Sequence, residues 1–266
     1  MTPYPSITLL GTKVHKMTMA DVVKVCDDAI RVRDSVLIGV VNVAKMVRAR
    51  QDSHLRQSLE EASFAVADGA PVVWLSRLCG CALPQRVAGI DIMSSLLVLA
   101  DRQGYGVYFL GAKQQVVERV VEDVRSTYPG VRIAGCHDGY FSSEREQEVA
   151  EIIRASAADI LLVGVPTPKK ERFLSTWRRY MGVPVCHGVG GSFDVVAGVT
   201  KRAPGWMQRC GLEWFYRVLQ EPRRMWKRYL VTNVAFMGLA AKEILQARCR
   251  RGRRSRAAID EGVERS

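Results

Sequence analysis

Three observations predict an α/β fold with a mainly parallel sheet and a basic helical appendage. Short β-branched or apolar runs such as SVLIGVV (35–41), GVYFLG (106–111) and DILLVGV (159–165) alternate with longer stretches of helical periodicity. Strands separated by helices pair in parallel, since each crossover returns the chain to the same end of the sheet. The charge is uneven: from Lys201 onward lie 16 of the 39 Lys and Arg but only 6 of the 27 Asp and Glu, so this stretch carries +10 and residues 1–200 carry +2. We expect a core over 1–200, a basic amphipathic appendage over 201–249 and a disordered tail over 250–266, where apolar residues are few.

In order along the chain, residues 6–10 read as an edge strand. Thr18 caps a helix to about Arg31, with apolar residues on one face. Strand 35–41 ends at Asn42, and one helix is expected from there to Glu61. Residues 63–67 form a short strand ending in Asp68-Gly69, followed by a helix over 71–78. RVAGID (86–91) is a loop and 92–103 a helix. Strand 106–111, helix 113–128 and strand 131–136 follow, then the loop His137–Phe141. Ser142 caps a helix to about Ser156, with Glu146 near the position of a capping box. Strand 159–165, a helix over 168–180 opened by proline, and strand 183–186 complete the alternation.

With 266 residues, 48% hydrophobic and 25% charged, the chain can build a sizeable core. Its seven cysteines are odd in number and irregularly spaced, which predicts reduced thiols in a cytosolic protein. No signal peptide and no spanning helix are predicted. Residues 229–245 come nearest, but Thr232, Asn233, Lys242 and Glu243 make them a docking or amphipathic helix.

Ligands of parallel sheets bind beyond the carboxyl ends of the strands. There the sequence places Asn42, Asp68, Gly111-Ala112-Lys113, Tyr140-Phe141, Gly164 to Glu171 and Gly188 to Asp194. Asp68 can act as a general base or simply turn the chain with Gly69. Lys169 and Lys170 can face a diphosphate or lie in solvent. Tyr140 and Phe141 can stack on a base or anchor a loop; His187 reads first as a core histidine. Gly188, Gly190 and Gly191 before Asp194 form a turn whose amides can approach a phosphate. Neither an Asp-x-Asp pair nor a His/Cys/carboxylate cluster is present, so no metal is predicted. In the appendage, Arg217, Arg223, Arg224, Lys227 and Arg228 are interleaved with Trp206, Trp214, Phe215, Tyr216, Trp226 and Tyr229, a pattern suited to an anionic membrane surface.

Taken together, Asn42, ADGAPVVW (67–74), RVAGID, FLGAK (109–113), GYF (139–141), GVPTPKKE (164–171) and the run from Gly188 to Tyr229 resemble the WecG/TagA/CpsF glycosyltransferases, glycosyltransferase family 26. The resemblance spans residues 35–230. It implies a Rossmann-like domain and metal-independent, inverting transfer of a hexose-type sugar (N-acetylmannosamine-like, its uronate, or glucose). The donor would be a UDP-sugar and the acceptor a polyprenyl-diphosphate-linked sugar, at the inner face of the bacterial plasma membrane. Asp68 is then the base, and Arg86 and Lys170 line the active site. Asn42, Gly111, Lys113, Tyr140, Phe141, Gly164, Gly188, Gly190, Gly191 and Asp194 lie by the nucleotide sugar, and Arg217, Arg224 and Lys227 meet the lipid diphosphate. UDP-sugar is a co-substrate, and no cofactor is implied. A homo-oligomer stays open. Two positions depart from the family pattern: Val40 stands where threonine is usual and Lys170 where glutamine is, which bears on the donor sugar. The alternatives are an inactive family member and a nucleic-acid-binding protein, although no helix-turn-helix or RNP motif is present and no nucleic acid is expected as partner.

Overall fold

The computed structural model describes the backbone of residues 4–263 and the side chains of 4–249 except Arg224, Met225 and Arg228. Of the tail expected to be disordered from Arg250 on, the backbone of residues 250–263 continues the C-terminal helix, and residues 264–266 lie outside the described residues. Six strands form one parallel sheet: β3 (Val36–Val41), β4 (Phe64–Ala67), β5 (Gly106–Gly111), β6 (Arg132–His137), β7 (Ile160–Gly164) and β8 (Val185–Gly188), in the order β4-β3-β8-β7-β5-β6. The last strand is therefore inserted between β3 and β7 and carries its carboxyl end to the middle of the sheet edge.

Alternation along the strands sorts side chains between two apolar layers. Val36, Ile38 and Val40 of β3 join Val107 and Phe109 of β5 beneath α1 (Met19–Val32), α5 (Gly89–Gln103) and α6 (Gln114–Thr127). Leu37, Tyr108 and Leu110 face the other way, onto α7 (Glu146–Ala155) and α8 (Lys169–Met181). A third cluster joins α2 (Val43–Ala49), α3 (Ser53–Glu60) and α4 (Ala70–Leu78) to Phe236 of the long C-terminal helix α12 (Pro222–Val263). Between core and α12 lie three short helices: α9 (Ser192–Val196), α10 (Gly205–Arg209) and α11 (Glu213–Gln220).

Thr18 caps α1 as expected: its hydroxyl accepts from the Asp21 amide at 3.2 Å while its own amide donates to Asp21 at 2.8 Å. Three local expectations need correction. The edge strand is a hairpin, β1 (Ser6–Leu9) with β2 (Thr12–His15), turned by Leu10 (φ 49°) and Gly11 (φ 78°). Two left-handed residues suit a two-residue turn, but leucine in the first place hides it. The helix after Asn42 is broken, because the Asp52 carboxylate accepts from the Leu55 amide at 3.0 Å and starts α3 afresh. Ser142 makes no side-chain cap; a single 3₁₀ turn, Ser143–Arg145, precedes α7, and buried Glu146 instead binds Arg172 and Trp177.

Candidate active site

The carboxyl ends of the strands gather glycines of two kinds. A Cβ on Gly111 would lie 2.4 Å from the Gly164 backbone, one on Gly164 would lie 2.4 Å from the Phe193 ring, and one on Gly188 would lie 2.6 Å from Lys170 Cδ. These three let protein pack on protein. Gly190 (φ +56°) has nothing within 4 Å of such an atom, and Gly191 meets only Asp194 at 3.7 Å. Among the described residues, the Gly190 and Gly191 amides donate no hydrogen bond. The open part of the turn is thus Gly190-Gly191. α9 behind it is only five residues long, too short for its dipole to weigh much.

Asp68 follows β4, its side chain 28% exposed. Burial pushes its carboxyl up from the usual range; Arg86 opposes this, Glu213 adds to it, and Arg217 and Lys45 oppose it. Arg86 enters from the loop before α5. Its Nε lies 4.0 Å from Asp68 Oδ1, its Nη2 donates to Glu213 Oε2 at 2.6 Å and its Nη1 to the Gln208 carbonyl at 3.2 Å. Arg202 Nη2 pairs with Asp91 at 2.7 Å, and its Nε stands 3.9 Å from Glu213 Oε1. The core's acid and the appendage's charges therefore form one cluster.

A second cluster lies at the ends of β3 and β8. Lys45 Nζ and Lys170 Nζ approach the same oxygen, Glu171 Oε1, at 3.4 and 3.5 Å. Burial, with Lys45 nearby, pushes the Lys170 ammonium down to about 8. Burial also works against the Glu171 charge, but the two lysines outweigh it and hold its carboxyl below the usual range. A crevice of about 40 Å³ runs past Val40, Lys45, Lys170, Glu171 and Gly188. His187 is buried on the other face of β8. Its Nε2 donates to the Gly89 carbonyl at 2.9 Å, and burial pushes it down to about 4, so it is a neutral packing histidine.

The remaining expected residues divide. The Asn42 carbonyl oxygen accepts from the Lys45 amide at 3.0 Å, capping α2 and leaving the NH₂ end free to donate. Phe141 is 5% exposed and packs on Phe173 at 5.6 Å, so it anchors its loop rather than stacking on a ligand. Tyr140 beside it is 74% exposed. Lys169 does not reach toward a diphosphate; its ammonium donates to the carbonyls of Gly139 and Phe141 and sits 3.7 Å from the Phe141 ring centroid. Lys113 is exposed at the start of α6, and Asp194 is half-buried in the first turn of α9. Arg217 and Lys227 are exposed, while the Arg224 side chain lies outside the described residues. Among the described residues, no three His, Cys, Asp or Glu side chains converge as metal ligands.

Sequence reasoning missed Lys45 and Glu213. Lys45 lies three residues after Asn42, in the first turn that asparagine caps, so its direction was available from helix spacing. Glu213 carried no local signal, because its partner Arg86 is remote in the chain.

The family described as "Glycosyl transferase WecG/TagA/CpsF family" matches residues 7–250. The chain is 41% identical over 182 residues to an N-acetylglucosaminyldiphosphoundecaprenol N-acetyl-beta-D-mannosaminyltransferase of Bacillus spizizenii, covering 68% of this chain and 70% of that one. It is 39% identical over 194 residues to the protein of the same name from Bacillus subtilis, covering 73% of this chain and 75% of that one. A parallel sheet with an acid and several cations at its carboxyl edge, in a chain with these relatives, is a glycosyltransferase of cell-wall polysaccharide synthesis. The chain belongs to the WecG/TagA/CpsF family.

Proposed function

We propose that the protein transfers an N-acetylmannosamine-type sugar from a UDP-sugar to a polyprenyl-diphosphate-linked sugar, with inversion at the anomeric carbon. The observation that carries this reading is Asp68. It is a half-buried carboxyl of raised proton affinity at a strand end, facing Arg86, Arg217 and Lys45. Such a group accepts a proton readily. In one displacement Asp68 takes the proton of the acceptor hydroxyl as its oxygen bonds to the anomeric carbon. The bond from that carbon to the diphosphate breaks, and UDP leaves with the electron pair. The names of the two Bacillus relatives support both the sugar and the acceptor.

The reading makes the enzyme metal-independent, with cations of the protein facing the diphosphates. The free amides of Gly190 and Gly191 and the exposed Lys113 and Tyr140 suit the nucleotide end of the donor. Lys170 and Asn42 suit its sugar. Arg217 and Lys227 suit the acceptor's diphosphate. Peripheral binding to the inner face of the plasma membrane fits exposed Trp206, Trp226, Leu230 and Val234 beside exposed Arg223 and Lys227. Among the described residues, no helix is long and apolar enough to cross a membrane.

The test is a panel of UDP-sugars offered with a short-chain lipid-diphosphate-N-acetylglucosamine, reading UDP release and product mass. The expected result is one UDP per acceptor molecule that gains one sugar, with UDP-N-acetylmannosamine preferred. UDP release without product, or product only from a donor bearing another nucleotide, contradicts the reading.

A further inference from the structure

The appendage holds Arg86 by its two terminal nitrogens: Glu213 Oε2 takes Nη2 at 2.6 Å and the Gln208 carbonyl takes Nη1 at 3.2 Å. A guanidinium is planar and rigid, so two anchors fix its plane. The third nitrogen, Nε, is buried without a hydrogen-bond partner and stops 4.0 Å short of Asp68 Oδ1. That gap is too long for a hydrogen bond. Glu213 is itself steered by Arg202, whose Nε faces it at 3.9 Å and whose Nη2 is tied to Asp91 at 2.7 Å. A row of alternating charges, Asp91, Arg202, Glu213, Arg86 and Asp68, thus runs from the start of α5 through the appendage and back to the end of β4.

An unrestrained arginine beside a carboxylate closes on it through two parallel hydrogen bonds. Such a grip would engage both Asp68 oxygens and weaken the carboxylate as a proton acceptor. We propose that Glu213 is a positioning residue that holds Arg86 back from Asp68, so that the carboxylate stays free to take the acceptor's proton. It acts through Arg86 and does not touch the reacting atoms. This rests on the reading of Asp68 as the base. The charged groups that face Asp68 are Arg86 from the loop before α5, Lys45 from α2, and Glu213 and Arg217 from α11. Of these only Glu213 is negative, so removing its charge leaves three cations acting in one direction.

The experiment is Glu213→Gln in the full-length chain, with two readouts. One is the pH profile of kcat/KM for a short-chain acceptor. The other is the Asp68 carboxyl titration followed by carbon NMR, with Asp68→Asn identifying its signal. In the variant the acid limb and the Asp68 titration should both move down by about half a pH unit or more, and the plateau rate should fall about tenfold. Glu213→Asp keeps the charge on a shorter arm. It should move both in the same direction but less, and it serves if the glutamine variant does not fold. An Asp68 titration unmoved in the folded variants overturns the proposal, even where the rate falls, because a merely structural role lowers rate without shifting titration. A titration that shifts while Asp68→Asn remains fully active would instead leave the coupling standing and remove Asp68 as the base.

Discussion

The core and the appendage are held together by different physics. Inside the core, strand residues alternate between two apolar layers, and every one from Val36 to Val41 and from Ile160 to Gly164 is buried. The appendage seats Phe236 against α2, α3 and α4, buries Ala203 and Met207 and packs Gly211 on Trp74, and beside these apolar contacts it meets the core through the charges of Arg202 and Glu213. Trp214 is half-buried between Phe215 and Tyr229 and fastens α11 to α12, whereas Trp206 and Trp226 stay exposed. Apolar burial is non-directional and builds a frame; paired charges and hydrogen bonds are directional and fix the plane of a guanidinium. Asp68 thus stands at the end of a buried strand, and of the groups that bear on its proton affinity Arg86, Glu213 and Arg217 lie where core and appendage meet, while Lys45 belongs to the core.

The largest effect should come from the core. Asp68→Asn should lower the transfer rate by about a hundredfold or more, about 2.7 kcal/mol in the barrier, while UDP binding measured by calorimetry stays near wild type. Full activity in that variant would remove Asp68 from the mechanism.

Lys170 shows what burial costs inside the frame. Burial holds its folded value at about 8, below the usual lysine value of 10.5. Below about pH 8 both states bind the proton and the penalty is constant. Between about 8 and 10.5 the unfolded chain binds more protons, so stability rises with pH. Lys170→Gln should therefore raise the unfolding free energy at pH 7 by about 1–3 kcal/mol, a gain that shrinks toward pH 10 in denaturant titrations. A loss of stability at pH 7 would mean that the Glu171 contact outweighs the burial.

The smallest effect should follow chelation. The reading places protein cations at the diphosphates, so EDTA should leave the transfer rate unchanged. Abolition by EDTA with recovery on adding Mg²⁺ would contradict it.

The core's order was legible because its signals are local. Strand 106–111 is found where the run of apolar residues placed it, and Thr18 caps α1 as its spacing with Asp21 indicates. The break between α2 and α3 was marked only by Asp52, which reads equally well as an ordinary polar residue in a helix. In the site, Asp68 and Arg86 were legible through motif resemblance. Phe141 stayed open between two roles because an aromatic after a glycine looks the same whether it turns outward or, as here, packs on Phe173. Gly111, Gly164 and Gly188 answer to packing partners on other strands and helices, which spacing along the chain does not reveal. Glu213 was illegible for the same reason: its meaning lies in Arg86, more than a hundred residues earlier.

The central claim is that the appendage belongs to the catalytic centre as well as to the membrane surface. Arg217 tests it, since it stands close enough to Asp68 to affect its proton affinity and yet is exposed. The measurement is transfer by full-length Arg217→Ala to a short-chain, water-soluble diphosphate acceptor in the absence of any membrane. Transfer should fall at least about tenfold, with Arg217→Lys recovering only part of it because lysine lacks the fork. Wild-type transfer by Arg217→Ala under those conditions would confine the appendage to the membrane and contradict the account.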